Sequence, residues 1–165
     1  MLRELLRFDD AASVVGWSAV DDRVMGGASQ SRLRHDDAGH AVFEGTVSFA
    51  NNGGFASVRS RPRDFAAVGA ANFVLEVRGD GKCYKLSART DDDLDGVSYQ
   101  ARFQPPADEW TVVRLPLSEF QPTYRGRSLP GAAPLDPVRI RQFGLVIADR
   151  QPGAFTLRLR SIHAE

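Results

Sequence analysis

The feature that most constrains the fold is an alternation of apolar and polar residues that recurs along the chain. It is clearest in segments 73–78, 84–89, 99–103 and 155–160. A period of two places an apolar row on one face of a β-strand and a polar row on the other. The sequence therefore predicts half-buried strands rather than amphipathic helices.

Turn sequences separate these strands at short intervals. Segments 51–54, 79–81 and 151–153 contain the glycine, asparagine and proline residues of tight turns. About ten short strands at this spacing predict an all-β fold, an antiparallel β-sandwich of the jelly-roll type. Segment 143–148 is apolar on both faces and is expected to be a central strand covered on both sides. The expected core contains Leu75, Leu86, Phe103, Leu145, Leu157 and Leu159.

Helical patterns are short. Segment 3–8, within N-terminal residues 1–10, could form one or two helical turns, and segment 117–120 could form one. Segment 121–137 has no periodicity and is expected to be an irregular loop. No repeat or linker interrupts the sequence, so one domain spanning residues 1–165 is expected.

Composition excludes several classes of function. Lysine plus arginine equals aspartate plus glutamate at 21 each, and this zero net charge disfavours nucleic acid as a partner. No apolar run reaches the roughly 20 residues of a membrane-spanning helix, so membrane insertion is not expected. The charged N-terminus does not resemble a signal or transit peptide, and the single cysteine, Cys83, fits a reducing compartment. These features predict a cytoplasmic protein.

The most distinctive stretch is segment 17–31, which contains Asp-Arg-Val-Met-Gly-Gly at positions 22–27 and a serine at position 29. It resembles the hallmark of the complex I intermediate-associated protein 30 family, and further similar segments follow between positions 43 and 155. The resemblance implies a galactose-binding-like jelly roll. It also implies an assembly factor for respiratory complex I that acts by protein–protein contact.

The candidate binding residues of this motif are Asp22, Arg23, Gly26, Gly27 and Ser29. The glycines permit a positive φ or a close backbone approach, and the serine hydroxyl could close a turn. Two interpretations stay open: a turn that supports one end of the sandwich, or a loop that faces a ligand or partner. The first is favoured because glycine-rich turns with a capping aspartate are common in β proteins.

A second candidate is the segment Arg125, Gly126 and Arg127. Two arginines in an irregular segment could bind a carboxylate or phosphate. Equally, Arg125 could pair with an acidic residue such as Asp22 and anchor the loop. We hypothesise that Asp22 and Arg125 meet, which would place Arg127 beside the two glycines of the motif and form one polar site.

A third candidate is a polar sheet face. Its members are Lys85, Ser87, Arg89, Gln100 and Arg102, with Glu76 and Arg78 on the preceding segment. If the three segments pair as a meander, these side chains form one platform. Carbohydrate-binding jelly rolls use such a face with aromatic rings, whereas the aromatic residues here fall in the apolar rows. A solvated sheet face is therefore favoured over a binding platform.

Catalytic and metal-binding signatures are missing from the sequence. There is no Gly-x-Ser-x-Gly, P-loop, Gly-x-Gly-x-x-Gly or Cys-x-x-Cys motif, and the histidines lack zinc-like spacing. Segment 91–96 matches the opening of a calcium loop, but Arg102 stands where a bidentate glutamate is required. We therefore expect no enzyme activity, no cofactor and no metal, and millimolar calcium should not shift the melting temperature.

Together these patterns favour a non-catalytic module that binds protein partners, with respiratory-complex subunits implied by the resemblance. The alternative is a module for a carbohydrate or a small anionic ligand. RNA binding is the least favoured, because the net charge is zero.

Overall fold

The computed structural model describes residues 2–21, 27–50, 54–65, 67–90, 96–124 and 127–165. In these residues the chain forms strands and short 3-10 turns, and no α-helix occurs. The 3-10 turns lie at Ala11–Val14, Leu117–Glu119 and Pro137–Arg139. The strands are β1 (Arg3–Arg7), β2 (Ser18–Ala19), β3 (Gln30–Asp36), β4 (His40–Val47), β5 (Ala56–Arg59), β6 (Asn72–Arg78), β7 (Tyr84–Thr90), β8 (Ser98–Phe103), β9 (Trp110–Pro116), β10 (Gln121–Tyr124), β11 (Arg127–Ser128), β12 (Ile140–Ile147) and β13 (Gly153–Ala164).

The strands form two antiparallel sheets. The first sheet has the order β3-β4-β13-β6-β9, with β1 pairing the last residues of β13 on the edge beside β4. The second sheet has the order β11-β10-β8-β7-β12-β5-β2. Because strands adjacent in sequence alternate between the sheets at several points, the architecture is the predicted sandwich.

The core lies between the two sheets and confirms the period-two analysis. The six residues expected there are all buried, at 5% exposure for Phe103 and 0% for the rest. Aromatic rings fill the middle of the sandwich, where Phe43 contacts Tyr84 and Phe155 with ring centroids 6.2 and 4.9 Å apart. Burial of these apolar rows is the main stabilising contribution to such a fold.

A half-buried carboxylate fixes the crossing from β6 to β7. Asp80 accepts hydrogen bonds from the Tyr84 hydroxyl (3.0 Å), the Lys82 backbone N–H (3.1 Å) and the Thr156 backbone N–H (2.8 Å). Tyr84 belongs to one sheet and Thr156 to the other. Burial, with the neighbouring Asp80 charge second, raises the pKa of the Tyr84 hydroxyl, so it stays a hydrogen-bond donor and ties the sheets together.

Two local predictions were wrong. Residues 3–7 form β1 rather than a helical turn, because pairing with β13 and burial of Leu5 and Phe8 outweigh a weak local helical tendency. Segment 121–137 is not irregular throughout, since β10 pairs with β8 and with β11. The short turn expected at 117–120 is confirmed as the 3-10 turn at Leu117–Glu119.

The predicted meander was also wrong. β6 lies in the first sheet between β13 and β9, whereas β7 and β8 are neighbours in the second. Glu76 and Arg78 therefore do not share a face with Lys85 and Gln100. The central position expected for segment 143–148 is confirmed, because β12 lies between β7 and β5. Its outer face is open, however, since Val146 lines a groove.

Candidate functional site

A groove of about 360 Å³ lies on the outer face of the second sheet. Its lining residues come from β5, β7, β8, β10 and β12 and from the turns beside them. They are Phe55, Ser57, Arg59, Lys85, Ser87, Arg89, Gly96, Ser98, Gln100, Thr123, Val146, Ala148 and Asp149. This volume is at the small end of the range for ligand sites.

Gly144 of β12 lies between two residues that line the groove. In the register of the sheet this residue lies opposite Ser87 on one side and Arg59 on the other. A Cβ atom at this position would lie 2.5 Å from Ser87 Oγ and 2.8 Å from the Val58 carbonyl oxygen. The missing side chain therefore allows Ser87 Oγ and the Val58 carbonyl to lie close to the backbone of β12.

Hydroxyl and amide groups line the groove around Ser87. Gln100 lies opposite Ser87 in the register, and its amide Nε2 donates to Ser98 Oγ at 3.3 Å. Thr123 Oγ1 donates to the Ser98 carbonyl at 3.0 Å. Ser87 is 2% exposed, and its hydroxyl makes no hydrogen bond to any described residue. The arrangement offers a neutral polar contact at the floor of the groove.

Charged residues of both signs line the groove. They are Arg59, Lys85, Arg89 and Asp149. Asp149 lies 3.5 Å from the Lys85 ammonium and 3.3 Å from the Arg102 guanidinium outside the lining. It occupies the left-handed region at φ 61°, in the turn between β12 and β13. One carboxylate thus serves two cations, and the groove offers charged and neutral polar groups to a ligand.

On the outer face of the first sheet, charged side chains pair with one another. Glu44 accepts from Arg34 at 2.8 Å and lies 2.6 Å from Arg32, and Arg160 donates to Glu76 at 2.8 Å. The hydrogen bond from Arg34 lowers the pKa of the Glu44 carboxyl group despite its partial burial. The carboxylates of this face therefore bind neighbouring arginines of the same sheet.

His40 belongs to this paired face. It is 6% exposed, its ring meets Trp110 edge-on at 5.2 Å, and its Nε2 lies 2.9 Å from Arg158 Nη1. Burial lowers the pKa of His40, and the nearby Asp36 carboxylate opposes this in part. Neutral imidazole is therefore the form that the folded protein favours.

The described part of the 17–31 motif joins the two sheets. Trp17 packs against Phe8 at 5.8 Å between ring centroids. Beyond β2, the buried Asp21 accepts from the Ser31 backbone N–H (3.0 Å), the Ser31 hydroxyl (2.6 Å) and the Ser57 backbone N–H (2.9 Å). Ser31 is in the first sheet and Ser57 lines the groove in the second. The motif therefore supports the wall of the groove.

The candidate residues of the motif are only partly described. Asp22, Arg23 and Gly26 lie outside the described residues, and Gly27 is half-buried. Ser29 is 0% exposed, and its hydroxyl accepts from the Ser48 N–H at 2.9 Å and donates to the Ser48 carbonyl at 3.2 Å. This hydroxyl thus contacts the protein's own backbone, as a structural turn would require.

The arginine segment does not join the groove through Arg127. This residue is exposed in β11 and pairs with Tyr124, while Thr123 of the preceding position lines the groove. Since side chains alternate along a strand, Arg127 projects from the face opposite the groove. Arg125 and Gly126 lie outside the described residues.

The Asp22–Arg125 contact therefore stays a prediction. Alanine substitution at each position should cost about 3–5 kcal/mol if the pair is buried, with strong non-additivity in the double variant. Urea unfolding of the two single variants and the double variant measures this. Additive losses would show that the pair does not exist.

The structure brings most of the predicted polar sheet face together at the groove. Lys85, Arg89 and Gln100 line the groove, and Arg102 lies beside it through its ion pair with Asp149. Sequence reasoning missed Gly144, although an isolated glycine within an apolar strand is a signal of close approach. It also missed Asp21, because the neighbouring Asp22 was chosen as the candidate residue of the motif.

In the part of the chain that the structure describes, no group of three or more histidine, cysteine, aspartate or glutamate side chains is arranged to hold a metal ion. No helix among the same residues is long and apolar enough to cross a membrane. All four aspartates of the calcium-like segment, within 91–95, lie outside the described residues, so the expectation that it does not bind calcium stays a prediction.

Comparison with known proteins gives a family match and several relatives. The model of the family described as complex I intermediate-associated protein 30 matches residues 6–159. An uncharacterized protein of Schizosaccharomyces pombe is 35% identical over 88% of this chain and 76% of its own length. The mitochondrial complex I intermediate-associated protein 30 of Drosophila melanogaster is 24% identical over 90% of this chain. A probable counterpart in Caenorhabditis elegans is 26% identical over 93%. The chain spans 58% and 51% of these last two relatives.

Solved structures share the fold at low sequence identity. The family 11 carbohydrate-binding module of a Clostridium thermocellum cellulosomal cellulase superposes with a TM-score of 0.69 at 14% identity, over 99% of this chain and 94% of that one. The same module in complex with a β-1,3-1,4-mixed-linked tetrasaccharide gives 0.65 at 15% identity, over 96% and 94%. These likenesses confirm the β-sandwich of the galactose-binding type.

The relatives correct one expectation. The cytoplasmic location predicted from the sequence is wrong on this finding, because the relatives that carry the family name are named as mitochondrial proteins. The prediction rested on the N-terminal residues, on the lack of a membrane-spanning run and on the single cysteine.

Proposed function

The chain belongs to the complex I intermediate-associated protein 30 family, and from this premise we propose that it is a non-catalytic binding module. It acts in the assembly of a respiratory NADH:ubiquinone oxidoreductase complex by contact with protein partners, which include subunits of that complex.

The family match is the observation that carries this proposal. It covers residues 6–159. This range includes strands of both sheets and all the lining residues of the groove, which lie between positions 55 and 149 in the sequence. The Drosophila and C. elegans relatives bear the name of a complex I intermediate-associated protein. The chain spans about half of each, so the activity of those whole proteins is carried over here as a proposal.

The chemistry of the groove supports a binding role rather than a catalytic one. Its described lining has hydroxyl, amide and cationic groups, but no histidine or cysteine beside the buried Ser87. A serine nucleophile needs a base within hydrogen-bond reach, and the Ser87 hydroxyl has no such neighbour among the described residues. The groove can hold a ligand by polar contacts.

The proposal is tested by capture from the native host. The tagged chain is recovered from membranes solubilised in mild detergent, and subunits of NADH:ubiquinone oxidoreductase should be enriched over a tag-only control. In a strain that lacks the chain, the amount of assembled complex on native gels should fall. Normal amounts of assembled complex together with no enriched subunit would contradict the proposal.

A second candidate function is a small-ligand module, which the groove itself favours. This groove of about 360 Å³ is concave and is lined by hydroxyl, amide and charged groups. The family 11 module of the same fold was solved with a tetrasaccharide. The discriminating observation is whether small hydroxylated ligands bind the isolated chain at the groove.

A further inference from the structure

We infer that the chain forms a symmetric dimer, in which the free edge of β9 pairs with β9 of a second copy in antiparallel orientation, centred on Val112. The first sheets of the two copies then join into one continuous sheet. No residue of β9 lines the groove, and the inference is independent of both proposed functions.

β9 (Trp110–Pro116) is an open edge of the first sheet. It pairs with β6 on one side, and on the other side it pairs with no strand in the part of the chain that the structure describes. Its first four residues, Trp-Thr-Val-Val, are of types that favour strands. The side chain of Val112 is 62% exposed. An edge of this kind is a template for another strand.

The hydrogen bonds of β6 show which of its residues face β9. The Asn72 N–H donates to the Glu165 carbonyl at 3.0 Å, and the Glu165 N–H donates to the Asn72 carbonyl at 2.9 Å. Asn72 therefore faces the chain that continues β13. Because successive residues of an antiparallel strand face alternate neighbours, Leu75 faces β9, where it lies opposite Val113.

The residues of β9 on either side of Val113 consequently face away from β6. The backbone N–H and carbonyl groups of Trp110, Val112 and Arg114 point to the free edge, and they have no backbone partner among the described residues. These three residues supply the hydrogen-bonding groups that an added strand needs.

The opposite edge of the same sheet is protected. There, β3 carries charged side chains at positions 32, 34 and 36, and Asp21 accepts from the Ser31 backbone N–H at 3.0 Å. Charged side chains and engaged backbone groups are common protections of an edge strand. The charged residue of β9 is Arg114, and Glu165 accepts two hydrogen bonds from it, at 2.6 and 3.0 Å.

The free edge of β9 is complementary to itself. With a two-fold axis at Val112, this residue lies opposite Val112 of the second copy, and Trp110 lies opposite Arg114 of the second copy. The two exposed valines cover each other, an aromatic ring lies opposite a guanidinium, and no arginine lies opposite an arginine. Such a contact uses the same surface on both copies and closes after two.

The neighbouring registers are less favourable. A shift by two residues in one direction places Pro116, which has no N–H, opposite Trp110 of the second copy. The same shift in the other direction places Asp108 opposite Arg114 of the second copy, and Asp108 lies outside β9 at φ 57°. The register centred on Val112 is the one that keeps all three pairs within the strand.

The test is sedimentation equilibrium of the chain without a tag. An edge of seven residues buries less than the roughly 1,200 Å² of a stable interface, so we expect a dissociation constant on the order of 100 μM. The mean mass should rise from that of one chain at about 10 μM toward that of two at about 1 mM. Amide hydrogen exchange of Trp110, Val112 and Arg114 should slow over the same range. A chain that stays monomeric throughout would overturn the inference.

Val112→Lys is the principal variant. It places two like charges opposite each other at the two-fold axis, so it should weaken association at least about tenfold. Val138→Lys is the matched control, because Val138 is 51% exposed in the turn Pro137–Arg139, away from β9. It should associate like the unmodified chain. Circular dichroism and urea unfolding at about 5 μM, where the chain is monomeric, report whether each variant is folded.

A mixture of variants tests the register. Val112→Lys and Val112→Glu should each be monomeric alone, whereas their equimolar mixture should associate, because the two substituted side chains face each other across the axis. A mixture that stays monomeric, or a Val112→Lys variant that associates like the unmodified chain, would overturn the proposed pairing. So would a dimer in which the slowed amides lie outside β9. The capture and ligand-binding experiments decide the two proposed functions separately.

Discussion

Asp21 provides the sharpest test of how the motif supports the fold. Its carboxylate is 6% exposed and joins Ser31 of β3 to Ser57 of β5 through three hydrogen bonds of 2.6–3.0 Å. Substitution by alanine removes the acceptor for two backbone N–H groups. The Ser31 hydroxyl keeps an alternative acceptor, the Ser57 carbonyl at 3.3 Å. The loss of stability is therefore set by the two backbone N–H groups that lose their acceptor.

The magnitude follows from these orphaned donors. Each buried N–H left without a partner costs about 1–3 kcal/mol, which gives about 2–6 kcal/mol for the pair. Removing the carboxylate also removes the cost of burying its charge. We therefore expect Asp21→Ala to lower the free energy of unfolding by about 2–4 kcal/mol. For a chain of this size that corresponds to a fall of roughly 4–16 °C in melting temperature.

Urea unfolding followed by circular dichroism measures this loss, with Asp37→Ala as the control because Asp37 is exposed. Asp21→Asn should cost about half as much, since one oxygen can still accept from Ser57 and Ser31 while the amide faces the Ser31 N–H. If Asp21→Ala changed stability by about 0.5 kcal/mol or less, as a surface substitution does, the proposed link between the sheets would be refuted.

Three further predictions concern the core, the paired face and the groove. Leu157→Ala should cost about 2–5 kcal/mol in urea unfolding, whereas Val112→Ala, at a position 62% exposed, should cost little. Burial lowers the pKa of His40, so as the pH falls the imidazole is protonated in the unfolded chain before it is protonated in the folded protein. The contribution of the neutral, buried His40 to stability should be complete above about pH 6.5 and should decline below it, and His40→Gln should remove this decline. Gly144→Ala should cost about 1–3 kcal/mol by overpacking, while Gly131→Ala, with nothing within 4 Å of the added Cβ, should be neutral.

The sequence by itself determined the fold class, the core and the family. Alternation with a period of two is a local property of the chain, and it assigns each side chain to one face of a strand before any pairing is known. For this reason the burial of Leu86 and Leu157 could be predicted correctly. The motif at positions 22–27 was sufficient to predict the family that the match over residues 6–159 confirms.

Which strands are neighbours was decided only by the tertiary structure. Alternation gives the face of a residue but not its sheet, so Arg78 was placed beside Lys85 although β6 and β7 lie in different sheets. The groove depends on such long-range pairing: Gly144 of β12 lies between Ser87 of β7 and Arg59 of β5, and these residues are far apart in sequence. The N-terminal strand β1 also depends on long-range pairing, because its partner β13 is at the other end of the chain. No local pattern contains these contacts, and their geometry defines the candidate site.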